Sequence, residues 1–179
     1  LDRTAVKAKR LSHEAPFGIG YGVCEFTPIG PDSSRSFAEA YYSRVALDIR
    51  SRRGAADPYA HLAYEAIDSF VKDKEELTGR DVPFSLTSQK AGAFVTIHEF
   101  DQLRGCIGTT VATQTNLGKE IIANAIAACS QDPRFLPIQP KEVPYLEVSV
   151  DVLSAIEPVT SLAELNPHKY GVIVENNGK

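Results

Sequence analysis

Apolar positions along the chain recur with two periods, and their order predicts helices interleaved with hairpin-linked strands. From Asp57 the set Tyr59, Leu62, Ala63, Ala66, Ile67, Phe70 and Val71 repeats at three- and four-residue spacing, which marks one face of an amphipathic helix. Asp57-Pro58 supplies an acidic cap followed by proline at the first helical position, and Gly79 stands just past an expected end near Leu77. Upstream, a helix is expected from about Arg35 to Arg53, with Phe37, Tyr41, Val45 and Ile49 four residues apart and Asp32, Ser33 and Ser34 available as caps. Arg50, Arg52 and Arg53 crowd its last turn and read as a solvated end that complements the helix dipole. A further helix, capped by Asn116, places Leu117, Ile121, Ile122, Ala125, Ile126 and Cys129 on one broad apolar face, with Cys129 read as core.

The remaining periodicity is that of strands. Ala93 to His98 is β-branched and aromatic, Glu99 to Gln102 is short enough for a hairpin connection, and Leu103 to Thr110 forms the return strand. Tyr145 to Leu153 alternates Leu146, Val148, Val150 and Val152 with polar residues, the pattern of a half-buried strand. Ser161 to Leu165 is expected as a helical turn and Gly171 to Val174 as the opening of another strand. In Leu11 to Pro28, Gly18, Gly20 and Gly22 alternate with Ile19, Tyr21 and Val23, so one face of a strand is bare and should lie against other backbone or under a neighbour outside this chain. Helices and hairpins without a regular βαβ repeat predict an α+β fold with antiparallel or mixed sheets.

Composition narrows the function. With 179 residues, 43% of them hydrophobic, the chain holds one ordinary domain and part of a second. A net charge of -4 does not indicate nucleic acid as a partner, and no apolar run approaches the ~18 to 20 residues of a membrane span. Leu1 to Arg10 is charged and unlike a signal segment. The three widely spaced cysteines, Cys24, Cys106 and Cys129, suit a reducing, cytoplasmic setting. The chain begins at Leu1 and has no methionine, which predicts a piece of a longer protein; oligomeric state is left open.

The candidate chemistry gathers at Leu103-Arg-Gly-Cys-Ile-Gly-Thr109. Gly105 and Gly108 bracket Cys106, and glycine is tolerated in a strand where backbone bends or lets something approach closely. Arg104 lies two residues from Cys106 on one strand face, where a cation favours thiolate and is costly to bury unpaired. Cys106 reads either as a nucleophile or redox thiol or as a small buried hydrophobe. His98 is its conditional partner. A loop of Glu99 to Gln102 pairs His98 with Leu103 and Cys106 with Val95 on the opposite face; a one-residue shift puts histidine and thiol on the same face. Asp132-Pro-Arg134-Phe-Leu-Pro137 brings acid, base and aromatic together, as binding residues or as an ion pair that shapes the loop. His61, off the apolar stripe beside Glu65 and Asp68, reads as exposed. The histidines His13, His61, His98 and His168 are scattered, with no His-x-x-x-His, Cys-x-x-Cys or phosphate loop, so no metal or other cofactor is signalled.

Gly-Ala-Phe-Val-Thr-Ile-His at 92–98, the 103–109 string, Asp-Pro-Arg-Phe at 132–135 and Glu-Val-Ser-Val-Asp-Val-Leu at 147–153 closely resemble the AMMECR domain family, also called AmmeMemoRadiSam system protein A. Asp57-Pro-Tyr-Ala-His-Leu-Ala and Lys169-Tyr-Gly-Val-Ile-Val are similar to its beginning and to a later strand. The resemblance implies two unequal subdomains with the signature strand facing a cleft between them; Arg104, Gly105, Gly108, Thr109, Asp132 and Arg134 are the candidate binding residues around Cys106. It also implies a radical SAM enzyme and a Memo-like protein as partners, within a modification system whose reaction is not established. Residues 11–28 resemble the last strands of a Memo-like, extradiol-dioxygenase-type domain. The expected organisation is therefore a Memo-like remnant at 1–30, a linker helix at 31–56, and at 57–179 an AMMECR domain lacking its C-terminal end. An enzyme component using Cys106 and a non-catalytic peptide- or protein-binding module are the two functional expectations.

Overall fold

A computed structural model describes residues 3–14, 20–78, 82–167 and 170–174. Asp57 caps α2 (Pro58–Asp68) by accepting the N–H groups of Tyr59 and Ala60, and of the expected apolar stripe Leu62, Ala63, Ala66, Ile67 and Val71 are buried while Tyr59 and Phe70 are partly buried. The helix closes earlier than Leu77. It passes through a π-helical turn at Ser69–Asp73 and stops where Lys74 takes a left-handed conformation with φ 61°; Gly79 lies outside the described residues. Pro83 precedes a single helical turn, α3 (Phe84–Thr87). Asn116 caps α4 (Leu117–Ser130) through the N–H of Lys119, and Cys129 is buried as expected.

Strands β3 (Ala93–Glu99), β4 (Gln102–Gly108) and β5 (Leu146–Val152) form an antiparallel sheet in the order β4-β3-β5. Alternation decides its faces. Ala93, Val95 and Ile97 point into a core shared with Leu62, Ala66 and Ile67 of α2 and Leu117, Ile121 and Ala125 of α4. The outer face carries Phe94, Thr96 and His98. Of the later expectations, Ser161 to Leu165 contains a short 3-10 turn at Leu162–Glu164, whereas Gly171 to Val174, the last described residues, has no strand pairing.

Before this domain lie two elements that the periodicity resolved less well. The glycine-rich stretch is not one strand with a bare face but the second arm of an antiparallel ribbon, β1 (Thr4–Glu14) with β2 (Tyr21–Pro31). Gly18 is outside the described residues, and a Cβ at Gly22 would meet only the Ser12 carbonyl at 3.7 Å, an ordinary contact. Helix α1 (Phe37–Gly54) starts later than the expected caps, at Ser36 and without a side-chain cap bond, and Asp32 accepts from Ser34 in a local turn before it. Of its stripe, Ile49 is buried while Phe37 and Tyr41 stay exposed. Its basic end is not simply solvated. Arg52 pairs with Asp48 and with Glu147 of β5, and Arg53 pairs with Asp68 while lying 4.7 Å over the Tyr64 ring.

Candidate functional site around Cys106

The hairpin that carries the signature turns in two residues rather than four. Phe100 and Asp101 both have positive φ, 51° and 61°, which is the two-residue turn that matches strand twist, and Glu99 pairs with Gln102. His98 faces Leu103, as the four-residue connection requires, but a bulge at Arg104 then shifts the register so that Ile97 faces Gly105 and Thr96 faces Cys106. Cys106 therefore shares a face with Thr96 and, by alternation, with His98. The thiol bonds to the Thr96 hydroxyl at 3.2 Å, and His98 lies further along, beside Glu147 on β5.

β4 is an edge strand, and its outward groups at Cys106 are closed by side chains. The Cys106 N–H donates to Asp132 Oδ2 at 2.9 Å, and the Arg134 guanidinium donates to the Cys106 carbonyl at 3.2 Å. Asp132 and Arg134 are themselves paired at 2.7 Å, so one ion pair imitates a neighbouring strand. The Arg134 guanidinium, reinforced by the N–H groups of Cys106 and Arg134, holds the Asp132 carboxyl well below the usual carboxylate range. On the opposite edge the Val148 N–H is closed in the same manner by the Tyr64 hydroxyl at 2.9 Å.

The other cation of the motif is also paired. Arg104 bonds to Glu142 at 2.8 Å with both side chains 16% exposed, and the Phe135 ring lies near both guanidiniums, 6.0 Å from that of Arg104 and 5.4 Å from that of Arg134. Burial raises the Glu142 carboxyl, but the Arg104 bond and the Gln139 N–H outweigh it and leave it lowered.

The glycines admit protein rather than ligand. A Cβ on Gly105 would sit 2.3 Å from the Ala128 carbonyl of α4, and one on Gly108 would sit 2.3 Å from the Phe94 ring. Thr109 belongs to a buried network: its hydroxyl donates to Glu120, whose carboxylate also accepts from Thr113 and from the Gln114 N–H. Burial opposes ionisation of Glu120, yet these bonds keep its carboxyl lowered. Asn124, one turn on, donates to the Ala93 carbonyl at 2.9 Å. Among the described residues no three His, Cys, Asp or Glu side chains converge as a metal set would.

A cleft of about 320 Å³ opens between α1 and the hairpin end of the sheet. It takes in His98 and Phe100 but not Cys106.

Residues 60–179 match the AMMECR1 family. The chain belongs to the AMMECR1 family. A protein of Thermotoga maritima is 49% identical over 119 residues, 65% of this chain and 68% of its own length. A protein of Clostridium acetobutylicum is 36% identical over an alignment that covers 100% of this chain but 38% of that protein. The crystal structure of an uncharacterised protein from Pyrococcus horikoshii superposes with a TM-score of 0.52 at 33% identity, over 63% of this chain and 57% of that one. The AMMECR1 match begins inside α2, so α1 and the β1–β2 ribbon precede it.

Thr96, Glu120, Asn124 and Glu142 are the site residues that sequence reasoning missed. Glu120 and Asn124 had a signal. They fall on the buried stripe of α4 with Leu117, Ile121 and Ala128, where a polar side chain must find partners. Glu142 had none, since its link to Arg104 spans 38 residues.

Proposed function

We propose that this AMMECR1 domain is a polypeptide-binding component of a radical-SAM-linked modification system, and that the Leu103–Thr109 motif is the rigid edge of its binding face. One observation carries this reading. Both guanidiniums beside Cys106 are committed to carboxylates, Arg104 to Glu142 and Arg134 to Asp132, and the thiol bonds to Thr96 rather than to a base. A cysteine nucleophile needs a general base or an uncompensated positive charge beside it. The same arrangement suits a binding surface, because it locks β4 and the 132–137 loop into one unit flanked by Leu103 and by Leu136, which is 83% exposed.

The radical SAM enzyme as partner rests on the family resemblance. The N-terminal organisation rests on the resemblance of residues 11–28 together with the Clostridium relative, in which all of this chain corresponds to 38% of a longer protein. On that basis residues 1–30 belong to a preceding Memo-like domain, 31–56 form the link and 57–179 the AMMECR1 domain.

Binding is measured by titrating the full-length protein with the radical SAM enzyme of the same organism. Leu136→Asp should weaken association at least about tenfold by placing a charge on the contact face, while Cys106→Ser should stay within about twofold. Undiminished binding by Leu136→Asp, or loss of modification in Cys106→Ser with binding intact, contradicts the proposal.

A further inference from the structure

The cleft between α1 and the hairpin is a composite feature. More than half of its lining comes from α1, which precedes the AMMECR1 match, and the rest from the hairpin tip, Tyr145 and Glu147. Its volume of about 320 Å³ is at the lower end of what small-molecule sites enclose. One wall is aromatic. Phe100 stacks on Tyr145 at 5.2 Å and 28° and on Tyr41 at 6.3 Å and 24°, so three stacked rings contribute to the lining.

Charge gives the wall its sign. The lining carboxylates are Asp48, Asp101 and Glu147, and the lining guanidiniums are Arg44 and Arg52. Arg52 is held between Asp48 and Glu147, whereas Asp101 at the hairpin tip makes no ion pair among the described residues, so the lining carries an excess of negative charge. The Arg44 guanidinium lies over the Tyr41 ring at 5.8 Å. A cation of the chain itself thus lies over an aromatic ring of the cleft lining.

We infer that this cleft binds an organic cation, an alkylammonium or guanidinium group carried on a small apolar body, and that Arg44 competes with it for the Tyr41 face. Aromatic faces attract cations through their quadrupoles, and carboxylates at the rim add attraction for the same sign of charge. His98, on the sheet face of the cleft, offers a hydrogen-bonding nitrogen. The inference does not depend on the polypeptide-binding face, since neither Cys106 nor the 132–137 loop lines the cleft.

Benzylamine and benzoate are matched probes that differ in the sign of their charge. Each is titrated into the intact chain while the NMR signals of Tyr41, Phe100, Tyr145 and His98 are followed. Benzylamine should shift these signals saturably and bind at least about tenfold more tightly than benzoate. Asp101→Asn, which keeps a residue that tolerates the left-handed turn, should weaken benzylamine by about threefold. Arg44→Ala should strengthen it by about threefold, because the internal competitor is removed. Equal or tighter binding of benzoate, no saturable shift with benzylamine, or weakened benzylamine binding in Arg44→Ala overturns the inference.

Discussion

The carboxylate of Asp132 accepts the Cys106 N–H, the Arg134 N–H and the Arg134 guanidinium together. Two of the carboxylates that hold the motif in place, Asp132 and Glu120, have folded-state pKa values lowered below their ordinary ones, by the Arg134 bond in the first and, against the opposing effect of burial, by the Gln114, Thr113 and Thr109 bonds in the second. A lowered native pKa contributes stability that is present above the unfolded value of about 4 and is lost as pH falls toward the native one. Urea midpoints should therefore drop between pH 6 and pH 3, and Asp132→Asn should show a shallower drop from a lower starting midpoint; a parallel drop in the variant contradicts the assignment. The sequence placed Asp132 beside Arg134 and allowed an ion pair. Their common target was illegible, because the bond to Cys106 joins residues 26 positions apart across a sheet edge.

Elements were legible where their signals are local. Asp57-Pro58 and Asn116 act as the caps their chemistry dictates, and the 3.6-residue stripes of α2 and α4 are the faces that are buried. The hairpin turn was misread because Phe100-Asp101 lacks the Asn-Gly or Asp-Gly pair that marks a two-residue turn. A bulky residue at φ 51° is strained, and the rings of Tyr41, Tyr42 and Tyr145 packed around Phe100 oppose its release. The sequence left open the one-residue shift that puts His98 and Cys106 on one face, but not its cause, a bulge at Arg104 that sets Gly105 against α4. Gly105→Ala tests that contact. A methyl 2.3 Å from a backbone carbonyl forces helix and strand apart, so chemical denaturation should show a loss of about 2 kcal/mol or more. A change within about 0.5 kcal/mol would mean that β4 and α4 do not approach as closely as described.

At the scale of the molecule, an α+β domain of two helices on one face of an antiparallel sheet is preceded by a helix joined through ion pairs and by a two-stranded ribbon. The class was legible because periodicity is local. The seating of α1 was not, because its contacts are long-range: Arg52 meets Glu147, Arg53 meets Asp68, and Tyr41 and Tyr42 pack on Phe100 and Tyr145. The cysteines sample three environments of this architecture: Cys24 on the exposed ribbon, Cys106 half-buried on the sheet edge, and Cys129 under α4, where burial pushes its thiol up to about 11. Timed iodoacetamide labelling of the native protein, resolved by mass spectrometry, tests most directly whether the signature is scaffold or nucleophile. Cys24 should label first, Cys106 no faster than Cys24, and Cys129 last. Labelling of Cys106 at least about tenfold faster than Cys24 would contradict the scaffold reading and make Cys106 an activated thiol.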